Sequence, residues 1–303
     1  MAITRRTFVA ASLGTAALGS LIAGRTIAQT AIGEGVLTTV SDGHLVLPES
    51  FVIGDLDAGE ATRLIEPAGF QVGAMEAPCN LTLWRSGDVV ALVDAGSGPG
   101  FMPTAGRIVE SLEAVGLGPE EITHVLFTHG HPDHLWGAID DFDEPLFGNA
   151  RHYLGAEEMA YWMDPATMET IGADRQSFVA GAQRRIALLG DALVQIGAGD
   201  EVLPGVVALD MRGHTPGHLG FRVTHGADSA LIVGDAIGNG HLALLRPDWP
   251  SPADSQPDQG IETRMALLEE LAASGERMVG FHLPRGGLGR IVRDGEAYAF
   301  LPD

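Results

Sequence analysis

The chain reads as a layered α/β protein, with sheets inside and helices outside. Three observations carry that expectation. Short apolar segments bounded by Gly, Asp and Pro come in two runs, as strands joined by turns should. Each run is followed by segments of helical periodicity, the pattern of sheets covered by helices. Of the 303 residues 45% are hydrophobic, with no long polar or repetitive tract, enough to fill one core.

Residues 1–30 have the form of an export signal. Arg5-Arg6 is followed by Thr7-Phe8, an apolar run from Val9 to Ala23, and small residues near 28–31. The adjacent arginines point to the twin-arginine route and a periplasmic, exported protein. The apolar run is shorter than the roughly 20 residues that span a bilayer and is diluted by Gly, Ser and Thr, so stable membrane insertion is not expected. Residues 31–303 are then one domain.

Strands are expected at Leu45–Ile53, Phe70–Met75, Asn80–Arg85 and Val89–Asp94. A helix follows over Thr104–Val115, where Ile108, Leu112 and Val115 recur at helical spacing before Gly116 and Gly118 end it. Ile122–Phe127 reads as a buried strand entering a loop at Thr128-His129. Helices over Gly155–Met163 and Asp174–Leu189 come next, then strands at Val206–Met211, Gly220–Val223 and Ala230–Val233. A helix over Glu262–Ala273, a strand at Met278–Phe281 and a hairpin over Arg290–Leu301, turning at Asp294-Gly295, complete the chain. Arg246–Gly260, with four prolines, three aspartates and Trp249, is a long loop of the kind that carries function.

The formal charge is −22 and there is no lysine. Such a chain repels nucleic acid and anionic membranes, so neither is an expected partner. The single cysteine, Cys79, forbids an intramolecular disulfide and is expected to be a buried, inert thiol.

The chemistry concentrates in Thr128-His129-Gly130-His131-Pro132-Asp133-His134, at the end of an apolar strand. Three imidazoles and a carboxylate on one tight turn suit zinc and related divalent metals. This His-x-His-x-Asp-His pattern resembles the signature of the metallo-β-lactamase superfamily, from about residue 36 to the end. Gly213-His214-Thr215-Pro216-Gly217-His218, Gly234-Asp235, Phe281-His282 and Asp94-Ala95-Gly96 follow as further landmarks of that family.

The resemblance implies an αββα sandwich holding two divalent ions, zinc first, with manganese, iron or cobalt as alternatives. His129, His131 and His214 would hold one ion; Asp133, His134 and His282 would hold the other; Asp235 would bridge them. Asp133 would also act catalytically, orienting the nucleophilic water and moving its proton. Asp94 and His218 would support the ligands from outside. Trp136, Phe147, Trp249 and His241 are the expected substrate pocket. Phe142 and Trp162 are expected in the core, His124 within its strand, and His44, His152 and His225 at the surface or in loops.

Among the family's branches the sequence is most similar to that of methyl parathion hydrolase and N-acyl homoserine lactonases. The likeness rests on Val233-Gly234-Asp235, Arg246-Pro247-Asp248, Arg264 with Leu267-Leu268, and His282-Leu283-Pro284 leading to Gly287-Leu288-Gly289. Arg285 departs from it, where relatives often carry an aromatic residue. The implied activity is hydrolysis of a small neutral ester, lactone or phosphotriester, with the lactone or carboxylic ester preferred. An organophosphate hydrolase is the alternative, and a mononuclear-iron persulfide dioxygenase a more distant one. A small molecule is the expected partner, and homodimers are common among such relatives.

Overall fold

Alternation within short strands sets the layers. The structure is a computed structural model that describes residues 21–22, 25–26, 28–69 and 75–303. On the strand Val89–Val93, Ala91 and Val93 face one apolar core while Leu92 faces another. On Asp228–Ile232, Ala230 and Ile232 share the first of those cores, and Leu231 turns to a third. Side chains two apart point the same way on a strand, so each sheet presents two faces that both need cover.

In chain order the elements are β1 (Leu21–Ile22), β2 (Arg25–Thr26), β3 (Gln29–Ile32), β4 (Gly35–Leu47), α1 (Glu49–Ile53), α2 (Ala58–Ile65), β5 (Met75–Ser86) and β6 (Val89–Val93). Then come α3 (Ile108–Ala114), β7 (His124–Leu126), α4 (Pro132–Leu135), β8 (Arg151–Gly155), α5 (Ala156–Met163), α6 (Pro165–Thr170), α7 (Gln176–Leu189) and β9 (Leu193–Ile196). The remainder is β10 (Glu201–Leu203), β11 (Val206–Asp210), β12 (Leu219–His225), β13 (Asp228–Ile232), α8 (Leu242–Leu245), α9 (Pro257–Ser274), β14 (Arg277–Val279), β15 (Leu288–Asp294) and β16 (Ala297–Pro302).

Among the described residues β3 to β9 form one sheet in sequence order, and β10 to β16 form a second in the same way. Trp84, Val93 and Leu126 of the first sheet meet Phe221, Ile232 and Val279 of the second in the core between them. The outer face of the first sheet packs on α3, α5 and α7 through Leu112, Trp162 and Ile186. The outer face of the second packs on α9 through Leu267, Leu268 and Leu271. This is the expected αββα sandwich. Strands β6, β7 and β8 run parallel, as do β13 and β14, so several strands deliver their carboxyl ends to one edge.

Several boundaries differ from the sequence expectation. The strand expected over Leu45–Ile53 ends at Leu47, because Pro48 has no N–H to donate, and α1 begins after it. The helix expected from Thr104 starts at Ile108: the Asp42 carboxylate accepts the N–H groups of Gly106 and Arg107 and holds them outside the helix. α9 starts at Pro257, a residue suited to the first helical turn, so the long loop stops at Gln256. Helix α6 and strands β8, β9 and β10 were not anticipated. Phe142 sits 85% exposed on a turn rather than in the core. His152 is buried on β8, stacked 6.1 Å from the Phe127 ring, not at the surface. The strand expected at Phe70–Met75 lies outside the described residues except for Met75, and so do residues 1–20 of the expected export signal. Gln29 and Thr30 of β3, placed at the end of that signal, pair with Thr38 and Leu37 of β4.

Candidate metal centre

Strand ends supply the candidate donors. β7 leads into His129 and His131, and α4 then starts on Pro132, its single turn carrying Asp133 and His134. β11 leads to His214, β13 to Asp235 and β14 to His282. All seven side chains are buried, none more than 8% exposed.

They converge in two adjoining groups. In the first, His131 Nδ1 lies 2.9 Å from both His129 Nε2 and His214 Nε2. In the second, His134 Nε2 lies 3.5 Å from Asp133 Oδ2 and 3.4 Å from Asp235 Oδ1. His282 Nε2 lies 3.4 Å from the same Asp133 oxygen and 3.3 Å from Asp235 Oδ2. Donors 3.3–3.5 Å apart, as in this second group, stand about 2.1 Å from the centre of a tetrahedron, a zinc–nitrogen or zinc–oxygen bond length. Asp235 Oδ2 is also 3.3 Å from His214 Nε2, so this one carboxylate touches both groups.

The electrostatics fit a cation. Asp133 Oδ2, His134 Nε2 and Asp235 Oδ1 are buried without a hydrogen-bond partner, a costly arrangement for a site with only water to fill it. Burial alone would discharge His282 and His134. Against it, Asp235 and Asp133 push His282 up to about 10, and Asp235, Asp133 and Asp94 raise His134 well above the ordinary imidazole range. Positive charge is therefore drawn to the second group even as protons. Burial and neighbouring imidazoles instead hold His129 and His131 well below that range, neutral and ready to donate lone pairs. Two carboxylates and five imidazoles suit two divalent ions.

Outer contacts fix the donors. Asp94 accepts from the Thr128 N–H at 2.8 Å and pairs with His134 Nδ1 at 2.8 Å, from a backbone at φ 65°. His218 Nε2 accepts the Asp235 N–H at 3.1 Å. His282 Nδ1 lies 2.8 Å from the Pro78 carbonyl. The Asn80 amide donates to the carbonyls of Phe281 and Leu283, 2.8 Å each, tying the His282 loop to the first sheet. Three buried carboxylates were not singled out from sequence. Asp254 meets His214 Nδ1 at 3.2 Å and the Arg264 guanidinium at 3.2 Å. Asp42 holds Ser97 near the Asp94 turn. Glu158 accepts from Gly130, between His129 and His131. No metal-ligand spacing marks any of them, and Glu158 stands beside a second glutamate, Glu157, so the sequence offered no signal that singles it out.

A cavity of about 460 Å³ opens over His214, Asp235 and His282. Its wall is mainly apolar, built by Leu47, Phe51, Val52, Met75 and Pro284, with Glu76, Asn239, His241 and Ser251 as polar points. Of the expected pocket residues, His241 lines this cavity. Trp136 does not: it packs 5.4 Å from Phe101 and under the Arg185 guanidinium at 4.5 Å, against α7. Phe147 is fully buried in the core beneath the first sheet. Trp249 packs with Val52 and Leu56 behind the wall, capped by Arg246 at 4.3 Å. Trp162 is in the core, as expected, with its ring 5.6 Å from His131. Cys79 is buried, its sulfur within 4.8 Å of Asp133 and His282 donor atoms.

The family model for the metallo-beta-lactamase superfamily matches residues 75–282. The uncharacterized protein Rv2581c of Mycobacterium tuberculosis is 28% identical over 212 residues, covering 67% of this chain and 85% of that one. An N-acyl homoserine lactonase of a Bacillus species is 26% identical over 132 residues, 43% of this chain and 44% of its own. Among solved structures, the hydrolase AbOPH superposes with a TM-score of 0.85 at 25% identity, covering 94% of this chain and 99% of its own. AidC, a dizinc quorum-quenching lactonase with a bound product, gives 0.86 at 21%, covering 92% and 98%.

Proposed function

This chain belongs to the metallo-beta-lactamase superfamily, and from that premise we propose a binuclear metal-dependent hydrolase of small neutral lactones or carboxylic esters. The observation that carries the reading is Asp235, whose carboxylate touches both donor groups under the floor of one mainly apolar cavity. His129, His131 and His214 would hold one ion, and Asp133, His134 and His282 the other. Two divalent ions held there, zinc first, would supply a nucleophile active near neutral pH and would polarise the oxygen of the bond to be cleaved.

The chain's own residues do the rest. Asp133 reaches the second group through Oδ2 and is the carboxylate placed to orient a water and take its proton. His241 lines the cavity and accepts the Leu242 N–H on Nδ1, which fixes the ring in the wall. Burial holds that ring at about 4, so it stays neutral while the enzyme works. Leu47, Phe51, Val52 and Met75 receive the apolar part of the substrate and exclude water there. A phosphotriester presents the same neutral, polarisable oxygen, and is the second class to test.

The test is a paired rate assay on zinc-loaded protein, an acyl-homoserine lactone against an aryl phosphotriester, with metal content measured on the same sample. Two zinc ions per chain and a lactone preference are expected. Abundant iron with oxygen uptake on a persulfide would overturn hydrolysis. We also propose export by the twin-arginine route, from Arg5-Arg6 and the apolar run after them. Retention of an Arg5→Lys, Arg6→Lys variant in the cytoplasm would support it; unchanged export would sink it.

A further inference from the structure

Glu158 is a buried carboxylate to which the hydrolytic reading gives no task. It sits on α5, fully buried, and no basic side chain among the described residues pairs with it. Its four lone-pair positions are all taken. Oε1 accepts from the Gly130 N–H at 2.8 Å and the Trp162 indole N–H at 2.6 Å. Oε2 accepts from the Thr215 hydroxyl at 2.6 Å and the Gly217 N–H at 3.1 Å.

The identity of those donors decides what the carboxylate does. Gly130 stands between His129 and His131, and Thr215 follows His214. One side chain therefore fixes both loops that carry the nitrogen donors of the first group. Neither Asp133, His134 nor His282 is held this way; Asp94 and the Pro78 carbonyl brace the two histidines of the second group. Glycine is needed for this approach, since a Cβ at Gly217 would run into the Glu158 backbone and one at Gly130 into the Trp162 ring.

An ionised carboxylate, which only accepts, matches four donors. A glutamine would turn one end into a donor facing a donor. Burying the charge is costly, and four hydrogen bonds without a counter-ion offset that cost only in part. A positive charge nearby would complete the compensation. The first group is made of three imidazoles, and the one carboxylate that touches it, Asp235, is shared with the second group.

From this we infer that Glu158 is the positioning residue of the first metal ion, aligning His129, His131 and His214 together from outside the ligand set. The inference rests on the binuclear reading above. Loss of such an outer partner typically weakens metal binding by about 10–100-fold.

The experiment compares full-length wild type with Glu158→Gln, each titrated with cobalt against a competing chelator while the visible spectrum is recorded. The same substitution is made in a His282→Ala background, where the second group is crippled. Two cobalt steps are expected for wild type. Glu158→Gln should weaken one step by about 10–100-fold and alter its ligand-field bands, leave the other step in place, and show the same loss in the His282→Ala background. Equal weakening of both steps, or no weakening, would overturn the inference while leaving the two-metal reading intact. A single cobalt step in wild type would instead overturn the two-metal reading. If Glu158→Gln does not fold, Trp162→Phe removes one of the four donors and should give the same selective loss in smaller degree; its absence counts against the inference.

Discussion

The metal cradle and the cavity wall above it are built on opposite plans. Every donor in the cradle comes from a strand end or the turn that follows it and is buried, and the rings of His134, His214 and His282 each have an outer partner fixing them. The wall comes from the end of β4, helix α1, the start of β5, the turn after Asp235 and the loop near Ser251. Those pieces lie far apart in sequence and pack through side chains. The contrast separates two jobs. On the proposed reading the chemistry would be held by the buried donors, whereas recognition would rest on peripheral segments that can vary without disturbing them.

Breaking the cradle should cost most. Asp235→Asn removes the one carboxylate shared by the two groups, and kcat/KM for the lactone should fall by well over the roughly 100-fold seen for outer partners. Bound metal, measured on the same protein, should drop below two per chain; an active, fully loaded variant would break the contrast. Asp94→Asn leaves the donors in place but loosens His134, and a loss of about 10–100-fold is expected, recovered in part by excess metal. Metal removal gives a pH signature. With His282 raised to about 10 from an unfolded value near 6.5, the stabilising charge is fully present below pH 6.5 and is lost as pH rises through 10. The melting temperature of chelator-treated protein should therefore fall across that window, while the zinc-loaded form, with His282 bound neutral, should not follow it.

Changes to the wall should be milder. His241→Gln should lower kcat/KM by about two- to fivefold, because the ring shapes the cavity wall. Phe51→Ala should act mainly on KM, by a few-fold, and change the preference for acyl length; its lost contact area is worth about 1–3 kcal/mol at most. A large kcat effect from Phe51 would mean that wall and cradle are not separate.

The same contrast explains what sequence could reveal. The cradle was legible because metal chemistry demands particular donors, and His129, His131, Asp133 and His134 crowd into one turn after an apolar strand. The layered fold was legible through alternating strands and periodic helices. The wall was not. Trp136, Phe147 and Trp249 stand near the motifs in sequence, but Trp136 faces α7, Phe147 the core, and Trp249 the back of the wall. Phe51 fell inside an expected strand, and only Pro48 hinted that the strand stops. Glu158 and Asp254 stayed hidden because their partners are backbone N–H groups and side chains brought together by tertiary packing.

Asn80 gives the molecule a mechanical property. From the middle of β5 its amide grips the loop that carries His282, across the seam between the two sheets. The candidate donors straddle that same seam, so bound metal would act with this amide as a second rivet through one joint. A ligand that binds only the joined form adds RT ln(1 + [L]/Kd) to the work of separating the halves. With the rivets in place the two sheets should melt as a single cooperative unit. With metal stripped and Asn80→Ala introduced, the halves are free to come apart in two steps.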